Sequence, residues 1–161
     1  MSRTLAQREQ LFRRLGVDLG LTFAGPSGMF DDADLATTRS IRGFTADDDV
    51  EIVEAVDAAR QMLVDRIMTR RGELAQLGHP HYGSRHHDLI GEPDTERTRN
   101  LVKLHILECL RHEPRIAEVV RCDIVPMQRF RDVVRIVLDI RLVDAPQPLN
   151  LVVPFDLEGA A

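Results

Sequence analysis

Tryptophan is absent from this chain, tyrosine occurs once at Tyr82, and aromatic residues make up only 4% of it. A sugar-binding cleft usually presents aromatic faces to its ligand, and here there is little to stack against. Lysine is nearly missing as well: Lys103 is the only one, so the remaining basic residues are arginines. Arginine favours bidentate ion pairs at protein interfaces, although a genome that favours arginine codons gives the same composition. Cys109 and Cys122 are the only cysteines, too few for a disulfide framework and without the spacing of metal ligands. Cys109 shares a helical face with Val102, Ile106 and Leu110, and Cys122 alternates with Val120 and Ile124, so both read as small core hydrophobes. The formal charge of −5 excludes a chain-wide basic field, and with it general nucleic-acid binding. Met1 to Arg14 holds no apolar run of signal-peptide length, and no stretch is long enough to span a bilayer. The expectation is a protein made in the cytoplasm that stays there until it joins something larger.

What is present is ordinary globular material, with 43% hydrophobic and 29% charged residues over 161 positions. A chain of this length buries about two-thirds of its unfolded surface as one domain. Leu5, Leu11, Phe12 and Leu15 stand among charged residues, which predicts a weakly amphipathic helix over 4–15, ending at Gly16. Val17 to Phe23 and Ile41 to Thr45 read as short strands. Between them Gly25 to Arg42 reads as irregular loop, with a turn at Pro26-Ser27-Gly28. Ile52, Val56, Ala59, Leu63 and Ile67 recur at three- and four-residue steps and predict a long helix. Asp47, Asp48, Asp49 and Glu51 crowd its expected start, Arg66, Arg70 and Arg71 its end, and Gly72 supplies the stop. Gly72 to Pro93 is mostly loop, with a turn of helix over Arg85 to Ile90. Asp94 or Thr95 caps a second helix, which Pro114 forces to end near His112.

Beyond that helix the period changes to two. Val134, Ile136, Leu138, Ile140 and Leu142 alternate with Arg135, Val137, Asp139 and Arg141, the pattern of a half-buried strand. Val119 to Val125 is its expected partner, and Leu149 to Leu157 makes a third strand whose Pro154 places it at an edge. The fold class is therefore α+β: two main helices packed on a small, mainly antiparallel sheet. A helical extension over residues 1–16 precedes a single domain over 17–161.

Three short motifs punctuate this layout: Arg71-Gly72-Glu73, then Tyr82-Gly83-Ser84-Arg85 after His79-Pro80, and Glu113-Pro114-Arg115 behind the second helix. Their order, with the helices between them and the strands after, resembles the baseplate wedge family of contractile tails. That family spans sheath-proximal wedge proteins of contractile phages and relatives in type VI secretion and extracellular injection systems, some with lysozyme-like names. The resemblance covers about residues 17 to 157. It implies a structural component whose partners are the large baseplate wedge subunits and the sheath protein, present in multiple copies in a large assembly. It also places Glu113, Pro114 and Arg115 at the contact with the wedge subunits. Read from the tripeptide alone, the same residues are a helix stop followed by a turn. His86 departs from the family pattern, which has an apolar residue there.

Other chemistry is weakly supported. His79, His81, His86 and His87 could hold a transition metal, but no cysteine joins them and no helical pair fixes a geometry, so packing or surface roles are expected, with no metal and no cofactor. Glu73, Asp88, Glu92 and Glu113 are the acids from which a peptidoglycan-cleaving glycoside hydrolase would be built, since that reaction needs two carboxyl groups flanking a sugar. Ser84 reads as a turn residue. No Gly-rich phosphate loop, nucleophile elbow or H-E-x-x-H helix is present. The expectation is a non-enzymatic assembly component. A tail hydrolase is the alternative, and an adaptor sharing the fold is a third reading.

Overall fold

A computed structural model describes Glu9 and residues 13–23, 33–42, 45–128 and 130–159, the side chains of residues 38–48 excepted. The chain divides into two compact units, Met1–Gln61 and Met62–Ala161. The fold is α+β.

The first unit is built of short ribbons. Strands β1 (Val17–Leu19) and β6 (Ile52–Glu54) pair antiparallel, as do β2 (Leu21–Thr22) with β3 (Asp34–Leu35) and β4 (Thr37–Arg42) with β5 (Thr45–Val50). Three backbone bonds close a triangle where the ribbons meet: Gly20 N–H to Glu51 O at 2.7 Å, Glu51 N–H to Ala36 O at 2.8 Å, and Ala36 N–H to Gly20 O at 2.8 Å. Gln61 clamps the neighbouring turn. Its carboxamide accepts from Leu21 N–H at 2.7 Å and donates to Leu19 O at 2.8 Å.

The sequence-based expectations for this region need correction. The helix expected over 4–15 lies mostly outside the described residues, although residues 13–15 are helical. The turn at Pro26-Ser27-Gly28 lies wholly outside them. Residues 37–40, expected as loop, belong to β4 together with Ile41 and Arg42 of the expected strand, and Asp47, Asp48 and Asp49 of the acidic run expected to open the long helix lie in β5. Thr38 pairs with Asp49 and Arg39 with Asp48, so backbone pairing claims the groups a helix start would have used. Helix α1 (Val56–Met68) begins only after Ala55, which turns the chain with a φ of 53°.

In the second unit the period-two run is the middle of a three-stranded meander, β7 (Ile116–Pro126), β8 (Val133–Leu142) and β9 (Leu149–Asp156), in that order. Val134, Ile136, Leu138 and Ile140 of β8 are wholly buried. Pro154 sits in β9, which pairs with β8 alone among the described residues, as expected of a strand containing proline. The register of β7 slips between Val119 and Arg121. That extra residue flips the alternation, so Val120 is 51% exposed while Cys122 is buried.

Helix α2 (Glu96–Arg111) packs beside β7 and buries Val102, Ile106, Cys109 and Leu110. Thr95 caps it, its hydroxyl accepting from Thr98 N–H at 3.1 Å. Its C-cap is His112, where Pro114 requires it. Both cysteines are free and buried, and burial pushes each thiol up to about 11.

Candidate partner-binding site

The Tyr82-Gly83-Ser84 loop is tied to the end of α1 by the backbone. Ser84 N–H donates to Thr69 O at 2.9 Å and Arg71 N–H donates to Ser84 O at 3.1 Å. This parallel bridge between Arg70 and Ser84 diverts the chain, so α1 stops at Met68 rather than running to Gly72. Gly83 makes the approach possible. Its φ is +90°, and a Cβ there would stand 2.5 Å from Thr69 O.

Ser84 is completely buried and links its loop to α2. Its Oγ lies 2.8 Å from His86 Nδ1 and donates to His105 O at 3.5 Å. His86 is completely buried in the short 3₁₀ turn His86–Leu89, edge-on to Phe155 at 4.4 Å and 4.0 Å from the His87 ring. Burial, then the neighbouring His87 and His105, holds its pKa well below the ordinary histidine value. A neutral imidazole therefore fills the space that an apolar side chain would occupy. Burial also lowers the pKa of His87, against the opposing effect of its bond to Ile67 O, to which Nε2 donates at 3.0 Å. His79 and His81 are exposed. Among the described residues no three His, Cys, Asp or Glu side chains gather where a metal could be held.

Arg66 joins the two motifs. Its guanidinium lies over the Tyr82 ring at 4.7 Å and pairs with Glu113 at 3.6 Å. Burial raises the Tyr82 pKa, an effect opposed by Arg66. Glu113 is 7% exposed, so its side chain turns into the fold. Its Oε1 accepts from the Arg115 backbone N–H at 3.2 Å and stands 3.3 Å from Arg115 Nε. Pro114 is exposed, and the Arg115 side chain keeps 38% of its surface open. Arg115 O accepts from Val143 N–H at 2.9 Å, which fixes the turn to the sheet. The helix stop is thus a rigid corner with one carboxylate inside and one proline and one guanidinium outside.

The other acids stand apart from this corner. Glu73 accepts from the Arg70 backbone N–H at 3.0 Å, Asp88 pairs with Arg85 at 3.6 Å, and Glu92 is exposed. Sequence reasoning missed Arg66, Arg71 and His105 as members of the network. Arg66 was legible only as charge at a helix end, whereas Arg71, which pairs with Glu108 at 2.8 Å, stood in the Arg71-Gly72-Glu73 motif without a partner named for it. Among the described residues no helix is long and apolar enough to cross a membrane.

No protein-family model matches the chain, and no curated protein matches it. It is similar to the crystal structure of a "putative tail lysozyme" from Geobacter sulfurreducens, at 26% identity and a TM-score of 0.53. That likeness covers 64% of this chain and 95% of the Geobacter chain.

Proposed function

We propose that this chain is a tail-related, non-enzymatic protein, the baseplate wedge component of a contractile injection apparatus. The likeness to the Geobacter tail protein carries the tail-related part of this reading. The wedge role is supported by the corner at Glu113-Pro114-Arg115. Glu113 acts as the internal anchor, and Pro114 and Arg115 are the groups a wedge subunit would meet. A guanidinium held at a fixed angle gives orientation as well as energy when a carboxylate docks on it. Among the described residues the outer edges of β7 and β9 pair with no further strand, and such an edge offers the sheath protein a place to add one.

A hydrolase reading is poorly supported by the same residues. Glu113 is 7% exposed and both its oxygens face guanidinium or N–H groups, a poor position from which to reach a glycosidic bond. One face of Tyr82 is taken by Arg66. Peptidoglycan suspensions should therefore stay turbid with the purified protein, and clearing that Glu73→Gln or Glu113→Gln abolishes would establish the hydrolase instead.

The wedge role is tested with Arg115→Ala. The side chain is more than a third exposed, so the isolated protein should lose only about 0–1 kcal/mol. Co-purification with the wedge subunits should weaken by about 2–5 kcal/mol, the cost of removing one member of a desolvated pair. Unimpaired assembly would remove the interface role. A large fall in melting temperature would make Arg115 a folding residue.

A further inference from the structure

At the triangle in the first unit the side chains sort by face. A Cβ on Gly20 would meet the Cβ of Glu51 at 3.1 Å and that of Ala36 at 3.2 Å, so these three positions converge on one side. By strand alternation the preceding residues, Leu19, Leu35 and Val50, point to the other side. They are 51%, 49% and 38% exposed. Val17 and Ile52 continue that side one step out and are also exposed, with Ile52 opposite Leu19 in the ladder. Exposed aliphatics gathered on one face mark a contact surface.

The surroundings of this face say what would cover it. Asp18, Asp34 and Asp49 each accept from the N–H of the next residue, Leu19, Leu35 and Val50, at 2.9, 2.8 and 2.9 Å. By the same alternation these three carboxylates branch to the side of Gly20, Ala36 and Glu51, where each is held against the strand backbone. Residues 17–54 hold nine acidic and two basic residues, a formal −7, against −5 for the whole chain. Two such faces would repel one another. Residues 1–16 have the complementary chemistry: four arginines against one glutamate, with Leu5, Leu11 and Phe12 between them.

We propose that copies of this chain join head to tail, the basic N-terminal segment of one copy lying on the aliphatic face of the acidic ribbon unit of the next. Such a contact is heterologous, so it builds a ring or a row rather than a closed twofold dimer. It requires no other tail component, and its failure would leave the wedge proposal standing.

Sedimentation velocity on the full chain tests it with two variants. Ile52→Asp breaks the face and leaves the N-terminal segment intact, and Arg8→Glu with Phe12→Asp does the reverse. The unaltered chain should form heavier species as concentration rises, less so at high salt. Each variant alone should stay monomeric, its self-association weakened at least tenfold, while an equal mixture of the two gives a 1:1 dimer. Leu19→Asp serves as a second face variant, and circular dichroism verifies that each remains folded. A monomeric full chain at all concentrations, two folded variants that stay apart when mixed, or an N-terminal variant that still self-associates would each overturn the proposal.

Discussion

Two junctions hold this chain in shape, and they are made of different material. The one at Gly20, Ala36 and Glu51 is closed by backbone hydrogen bonds, with carboxylates and aliphatic side chains left facing solvent. The one at Tyr82, Arg66 and Glu113 is closed by side chains withdrawn from solvent, whose charged groups answer one another. A junction with its chemistry spent inward sets shape and presents little, here Pro114 and the Arg115 fork. A junction made of backbone alone leaves its side chains free for other work. The first is the surface proposed to receive a second copy, and the second is the frame of the corner proposed to meet a wedge subunit.

The sharpest way to break this comparison is at Gly83. Gly83→Ala adds a methyl where Thr69 O stands 2.5 Å away, at a backbone angle that L-residues rarely adopt. Either the loop leaves the end of α1 or the bridge between Arg70 and Ser84 is lost. The expected loss is about 3–5 kcal/mol in urea unfolding. A near-neutral result would mean that the loop does not rest on this contact.

Arg66→Ala comes next. It strands Glu113, 7% exposed, with only Arg115 for company. Breaking a buried pair typically costs about 3–5 kcal/mol, and the remaining Arg115 puts the expectation at the lower end, about 3 kcal/mol. The double change Arg66→Met with Glu113→Leu should recover most of that loss, because no buried charge is then left alone. No recovery would mean that Arg66 acts mainly by covering Tyr82.

The histidines sharpen the contrast through pH. His86 and His87 have folded pKa values below the ordinary 6.5, chiefly from burial. Below about pH 6.5 the unfolded chain takes up protons that these folded histidines refuse, so stability falls as pH drops from there toward their folded values. Melting curves from pH 7.5 down to pH 5 should show this fall, and His86→Leu should flatten part of it. An unchanged slope in that variant would place the acid sensitivity elsewhere.

The helices and strands of the second unit were legible because burial there follows period. Leu63 and Ile67 on α1, Val102 and Ile106 on α2, and Ile136 to Ile140 on β8 are buried where the spacing says. The Glu113 helix stop was legible too, since proline acts locally. Arg66 was not, because its partners are 16 and 47 residues away and the pair is made by tertiary contact. The first unit was misread for a related reason. Its acidic run has the composition of a helix start, yet pairing with Thr37–Arg42 claims it, and strand propensity is set largely by such neighbours.

The smallest expected effect is at Gly20, and it decides whether the two junctions truly differ. Gly20→Ala makes the same chemical change as Gly83→Ala. Here the new methyl meets the Cβ atoms of Glu51 and Ala36 at 3.1 and 3.2 Å and Glu51 O at 3.3 Å, and no left-handed backbone angle is required. Alanine also stiffens the unfolded chain, which favours folding by about 0.4–1 kcal/mol. Against that stands crowding of about 1–3 kcal/mol for a methyl forced into a packed place. Glu51 is exposed and can shift by a few tenths of an ångström, so the lower end of that range applies. The net expectation is a loss of about 1 kcal/mol or less, read by hydrogen exchange at the Glu51 and Ala36 amides that close the triangle. A loss as large as that at Gly83 would mean the strand triangle is as tightly packed as the arginine joint, and the distinction between a frame and a surface would not hold.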